Sequence, residues 1–240
     1  MFDVDRLLHI LEDVKKDHNV RIIFSPRPTL PSRTSLKKAG ENRFTLEYNS
    51  DLCGTDDVAH EIYRAVQSCD KTWVSITPMP VNPRDTDVKA IAEKLRTLLF
   101  DFWIKEQVRK KGFQYGGYLK DYFESLYEQL RAGERLHSCS EEGRNLICSA
   151  LDYTLYLLNR SSLSQAFREG FEREYGKNSL AAVKKAEIME RIVLENRCET
   201  PPEVEKTLTT LRTLLGLGRD ITFQKSKRKP PEDTEPLRRM

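Results

Sequence analysis

The segment Asp56-Asp57-Val58-Ala59-His60-Glu61-Ile62-Tyr63-Arg64-Ala65-Val66 decides how the first half of the chain is read. At helical spacing Val58, Ile62, Ala65 and Val66 form one apolar stripe, which predicts a helix laid against a core. His60, Glu61 and Arg64 fall on a neighbouring face, and positions 60 and 64 project together from successive turns. Gly54, with Thr55 or Asp56 as the cap, marks the start of this helix, which should run to about Cys69. Just upstream, Arg43 to Asn49 alternates, with Phe44, Leu46 and Tyr48 on one face, and predicts a half-buried strand.

Further upstream, Asp3 can cap a helix to about Lys16, with Leu7, Leu8, Leu11 and Val14 on its buried face. Asn19 ends it, and Val20 to Phe24 is a β-rich apolar run. Ser25 to Asn42, rich in prolines and basic residues, reads as a long mobile loop. Downstream, Trp73 to Ile76 predicts a short strand, Thr77 to Pro83 a proline-rich loop, and Val88 to Lys111 a long helix closed by Gly112.

Beyond this point the chain reads as almost wholly helical, over Tyr118 to Arg131, Leu146 to Leu158, Phe167 to Tyr175 and Ser179 to Asn196. Ser138 with Glu141, and Ser162 with Gln165, have capping-box spacing ahead of two of these segments. Thr200, Pro201 and Glu203 start a last helix, which stops at Gly216 or Gly218. Residues 219–240, with Lys225-Ser226-Lys227-Arg228-Lys229 before two prolines, read as a disordered basic tail. The sequence therefore predicts an α+β protein. Residues 1–115 form a small helix-plus-sheet domain, 116–218 a helical region, and 219–240 the tail.

With 40 basic and 37 acidic residues in 240, the net charge of +3 is close to balance and makes no general case for nucleic acid. No apolar run reaches membrane-spanning length; the best, Leu98 to Ile104, is broken by Asp101, so no membrane partner is expected. Met1-Phe2-Asp3-Val4-Asp5 lacks a signal-peptide pattern. The five cysteines are scattered and never paired as C-x-x-C, which predicts reduced thiols in a cytoplasmic protein.

A zinc peptidase uses two His at i and i+4 of a helix to bind metal, and the Glu after the first to activate water. Here the second His is Arg64, which stays protonated and has no lone pair for a metal. In its order of elements the chain resembles the zincin metallopeptidases. The likeness is carried by Phe44-Thr45-Leu46-Glu47-Tyr48-Asn49, the Gly54 loop and Ala59-His60-Glu61-Ile62. It continues in Leu98-Leu99-Phe100-Asp101-Phe102-Trp103-Ile104, with Gly112-Phe113 after that helix. The resemblance covers roughly residues 20 to 115. It implies a zincin-like fold for this part, with Asp101 in the position of the third metal ligand.

Three readings of the site follow. In one, Arg64 takes the place of the metal charge and pairs with Asp101, Glu61 or both; this site-closing pair leaves a catalytically inactive protein that binds a peptide or protein. In another, zinc is still held by His60, Asp101 and a residue such as His137 or Glu106, with Glu61 as general base of an active zinc-dependent peptidase. In the third the motif is accidental, with His60 half-buried and Glu61–Arg64 a solvated pair. The cofactor expected is none, or Zn if the site functions, and the favoured reading is the degenerate metallopeptidase-like binding protein.

Elsewhere the sequence offers less. A helical nucleic-acid-associated protein using the basic tail is the weakest alternative. The aromatics from Phe100 to Phe123 read as the joint between the two halves, and Cys139 and Cys148 as packing residues.

Overall fold

Local signals set the helix starts. The Asp3 carboxylate accepts from the Arg6 N–H and opens α1 (Val4–His18), which Asn19 closes in the left-handed region with φ 53°. The computed structural model describes residues 3–79, 85–113, 117–137 and 139–225. The N-terminal sheet comprises β1 (Arg21–Pro26), β2 (Thr34–Lys38) and β3 (Arg43–Tyr48) in the order β1-β3-β2. β1 runs parallel to β3, and β2 pairs with it antiparallel, so β2 is an edge strand. Phe44 and Leu46 of the central strand are buried, as their alternation predicts.

The helix α2 (Thr55–Cys69) follows, opened where the Gly54 N–H donates to Asp57 Oδ2 at 2.7 Å. Its stripe of Val58, Ile62, Ala65 and Val66 is buried. The short β4 (Val74–Pro78) leads to α3 (Thr86–Lys110), whose start is capped by the Asp85 carboxylate. Among the described residues the further α-helices are α4 (Gly117–Arg131), α5 (Glu142–Asn159), α6 (Gln165–Asn178), α7 (Leu180–Glu195) and α8 (Pro201–Leu214). The protein is thus α+β, with a small N-terminal sheet and a mostly helical C-terminal half.

α3 holds the halves together. Val88, Ile91, Leu95, Leu98 and Leu99 are fully buried, and the helix packs on α2, β4, α5 and α8. Burying each such side chain contributes about 1.5–3 kcal/mol. One hydrophobic core therefore crosses position 115, where the sequence suggested a boundary. The aromatic joint is here too: Trp73 meets Phe100 at 5.4 Å and Trp103 at 5.0 Å, edge to face. The Trp103 Nε1–H also donates to the Glu199 carbonyl, tying α3 to the chain ahead of α8.

Two stretches depart from the sequence reading. Part of the supposed loop 25–42 forms β2, where Leu36 is the single apolar residue among Thr, Ser and Lys; an edge strand of that composition has almost no alternation signal. Part of the supposed disordered tail forms β5 (Ile221–Lys225), antiparallel to β4, with Ile221 only 1% exposed. Its partner strand lies far upstream, so local composition conceals it. Residues 226–240 lie outside the described residues. The helix α6 is capped by Ser164, two residues later than the capping-box spacing suggested, because a 3₁₀ turn over Arg160–Ser162 intervenes. The Ser138 cap lies outside the described residues.

Candidate functional site

The face of α2 beside its buried stripe, the start of β2, the middle of α3 and the first part of α4 enclose a cleft of about 500 Å³. That is the size of a small-ligand or peptide-segment site. His60 comes from α2 and Asp101 from α3, and the packing of the two helices brings them together. His60 Nε2 lies 3.6 Å from Asp101 Oδ1, and His60 Nδ1 lies 3.6 Å from Glu61 Oε1. Each ring nitrogen is therefore faced by a carboxylate.

This bracket sets the protonation. Burial opposes a charged imidazole, but Asp101 and Glu61 outweigh it and push the His60 pKa up to about 9. Burial would likewise raise Glu61, yet His60, Arg64 and Thr34 hold its carboxylate below the usual range. Glu61 Oε1 is faced by three groups: His60, the Thr34 hydroxyl donating at 3.3 Å, and Arg64 at 3.6 Å. Among the described residues nothing hydrogen-bonds the buried Glu61 Oε2, nor the buried Gln67 Nε2 of the same cleft.

A pH effect follows from these shifts. His60 titrates near 6.5 when exposed and near 9 when folded, so its stabilisation is complete below about pH 6.5 and lost as pH rises through 9. The Glu61 share is lost at the other end, as pH falls through its depressed folded value. The expected result is a thermal midpoint that drops between pH 7 and about 10, with a smaller drop in His60→Gln; equal slopes in calorimetry would refute it.

Arg64 projects beside His60, as i,i+4 spacing requires, and of its two candidate carboxylates the structure places Glu61 against it. Asp101 faces His60. His137 and Glu106, the candidates for a further ligand, are engaged elsewhere. Glu106 pairs with Arg109. His137 Nε2 lies 2.9 Å from Asp152 Oδ2 in a separate buried network, where Asp152 also takes Lys94 and the Tyr122 hydroxyl. Burial alone would raise the Asp152 pKa, but His137 and Lys94 hold it below the carboxylate range.

Zinc requires about three N, O or S ligands and an open position. One turn beyond His60 stands the Arg64 guanidinium, which has no lone pair for a metal, and the carboxylates facing both ring nitrogens favour the protonated imidazole over a ligating one. Among the described residues no group of three or more His, Cys, Asp and Glu side chains is arranged to hold a metal. The residues present do not fit a zinc ion. The chain matches no protein-family model, no curated protein and no solved structure.

Three side chains that sequence reasoning missed complete the cleft: Arg33, Asp57 and Asp121. Arg33, just before β2, pairs with Asp121 of α4 at 2.8 Å and Asp57 of α2 at 3.4 Å, and donates to the Leu52 carbonyl. It pins the wall of the cleft from three sides. Asp57, mostly buried, has its pKa raised chiefly by that burial, and Arg33 works against the rise. No signal in the sequence links Arg33 to Asp121, since both look like ordinary surface charges.

Proposed function

We propose that the protein is a zincin-like binding protein without hydrolytic activity, which holds a peptide or protein segment in the cleft between β2, α2, α3 and α4. The observation that carries this reading is the buried Glu61 Oε2, without a hydrogen-bond partner among the described residues, in a cleft where Arg64 stands one turn beyond His60. A buried carboxylate oxygen left alone is costly, and a ligand N–H would satisfy it. Gln67 Nε2 offers the complementary donor, so the cleft presents an acceptor and a donor, the pair an amide group can meet.

The edge of β2 supports the same reading. The Arg33 carbonyl accepts from Asn49 and the Ala39 N–H donates to Arg43, so odd-numbered residues face β3. The backbone groups of Leu36 and Lys38 therefore point away from β3, and among the described residues no strand pairs on that side. The strand begins at Thr34, inside the cleft.

The test has two arms. Purified, tag-free chain is assayed for bound zinc and for cleavage of quenched fluorescent peptides, and a random-peptide phage library is panned against it. The expected result is no stoichiometric zinc, no cleavage, and enriched peptides that bind Glu61→Gln about tenfold or more weakly, as loss of a charge-assisted hydrogen bond implies. Stoichiometric zinc with cleavage, or panning without enrichment, overturns the proposal.

A further inference from the structure

A pair of cysteines outside the cleft has the geometry for chemistry. Cys139, in the connection ahead of α5, and Cys148, within α5, have sulfurs 3.8 Å apart, and both are free thiols. The other three cysteines face elsewhere: Cys53 towards the Gly54 carbonyl, Cys69 towards that of Glu41, and Cys198 towards Thr207.

The contact is held from both sides. The Cys139 N–H donates to Asn145 Oδ1 at 3.0 Å, and Asn145 Nδ2 donates back to the Cys139 carbonyl at 3.4 Å. The next residue, Ser140, donates its N–H and its hydroxyl to Asp87 Oδ2 of α3, each at 2.7 Å. The backbone of Cys139 is thus fixed against two helices. A disulfide needs sulfurs about 2.05 Å apart, so closure requires the two sulfurs to approach by less than about 2 Å.

We propose that Cys139 and Cys148 form a reversible dithiol–disulfide site that takes a low-molecular-weight disulfide as its oxidant. Accessibility sets the order of events. Cys139 is half-buried and meets the oxidant, whereas Cys148 is 1% exposed. Burial, with the neighbouring Cys139, pushes the Cys148 thiol up to about 12, while Lys94 pulls the other way, so Cys148 waits as a thiol.

In the first step the Cys139 thiolate attacks one sulfur of the small disulfide. A mixed disulfide forms and one small thiolate leaves. In the second, Cys148 gives its proton to a departing thiolate and its sulfur attacks Cys139 Sγ, expelling the other half of the oxidant as a thiolate, which takes the proton Cys139 shed. Two protein thiols are oxidised, and one small disulfide is reduced to two thiols that carry both protons.

The experiment uses the full-length, fully reduced chain, equilibrated with glutathione and glutathione disulfide at set ratios, then trapped by alkylation and mapped by mass spectrometry. The expected result is that the five alkylatable thiols fall by two, with Cys139 and Cys148 joined and no glutathione retained. Cys148→Ser should instead trap glutathione on Cys139, because the resolving thiol is gone. Cys139→Ser, at the less buried position, should suppress reaction at Cys148 as well. Reaction confined to Cys53 and Cys69, or a stable glutathione adduct on Cys139 in the unaltered chain, overturns the proposal.

Discussion

Arg64→His is expected to bind about one zinc per molecule, where the unaltered chain is expected to bind none. The substitution removes the guanidinium that lies 3.6 Å from Glu61 and places an imidazole one turn beyond His60. With His60 and Asp101 already facing each other at 3.6 Å, three donors would converge on the cleft, which leaves a coordination position for water. His60 must first release its proton, and its pKa of about 9 makes that unfavourable at neutral pH. Uptake should therefore strengthen by roughly tenfold per pH unit between about 7 and 9. Elemental analysis after gel filtration reads the stoichiometry, and a further His60→Ala change should abolish it. A folded Arg64→His chain without zinc would mean that His60 and Asp101 are not the remains of a metal site.

Asp152→Ala is expected to produce the largest loss of stability. Asp152 is 2% exposed and carries the opposing charge for Lys94 and, through Oδ2, the partner of His137, while its Oδ1 accepts from Tyr122. Removing the carboxylate leaves the Lys94 ammonium without its counter-charge and the Tyr122 hydroxyl without its acceptor, which costs about 3–5 kcal/mol. For a chain of this size that corresponds to a fall in Tm of about 10 °C. Lys94 stands on α3 and Tyr122 on α4, so the loss should loosen the contact of both helices with α5. Denaturant unfolding checks the figure. A change below about 1 kcal/mol would show that the network contributes position without stability.

What the sequence made legible was whatever repeats locally. The stripe of α2, the alternation of β3 and the capping box of Thr200 with Glu203 all lie within a few residues and all appear in the fold. The juxtaposition of His60 and Asp101 was of another kind. No local pattern links residues on different helices, and it was anticipated only from the order of elements in a resembling family. The parts that stayed hidden depend on distant partners: β2 and β5 as strands, and Arg33 bridging Asp57 and Asp121. Cys139 and Cys148 were visible as residues, but their contact depends on how Asn145 and Asp87 hold one connecting segment.

The β4–β5 ladder has a consequence for how the chain is made. β4 leaves the ribosome early, and its partner at Ile221–Lys225 arrives only after α3 to α8 have been synthesised. Until then the backbone groups of Val74 to Pro78 have no ladder, and the pocket that buries Ile221 stands open. The sheet of β1, β2 and β3, closed within the first fifty residues, can assemble during translation. Pairing of β5 with β4 therefore comes after synthesis of the helices that separate them. A nascent chain halted within α8 should remain protease-sensitive around Trp73 even with its N-terminal sheet complete.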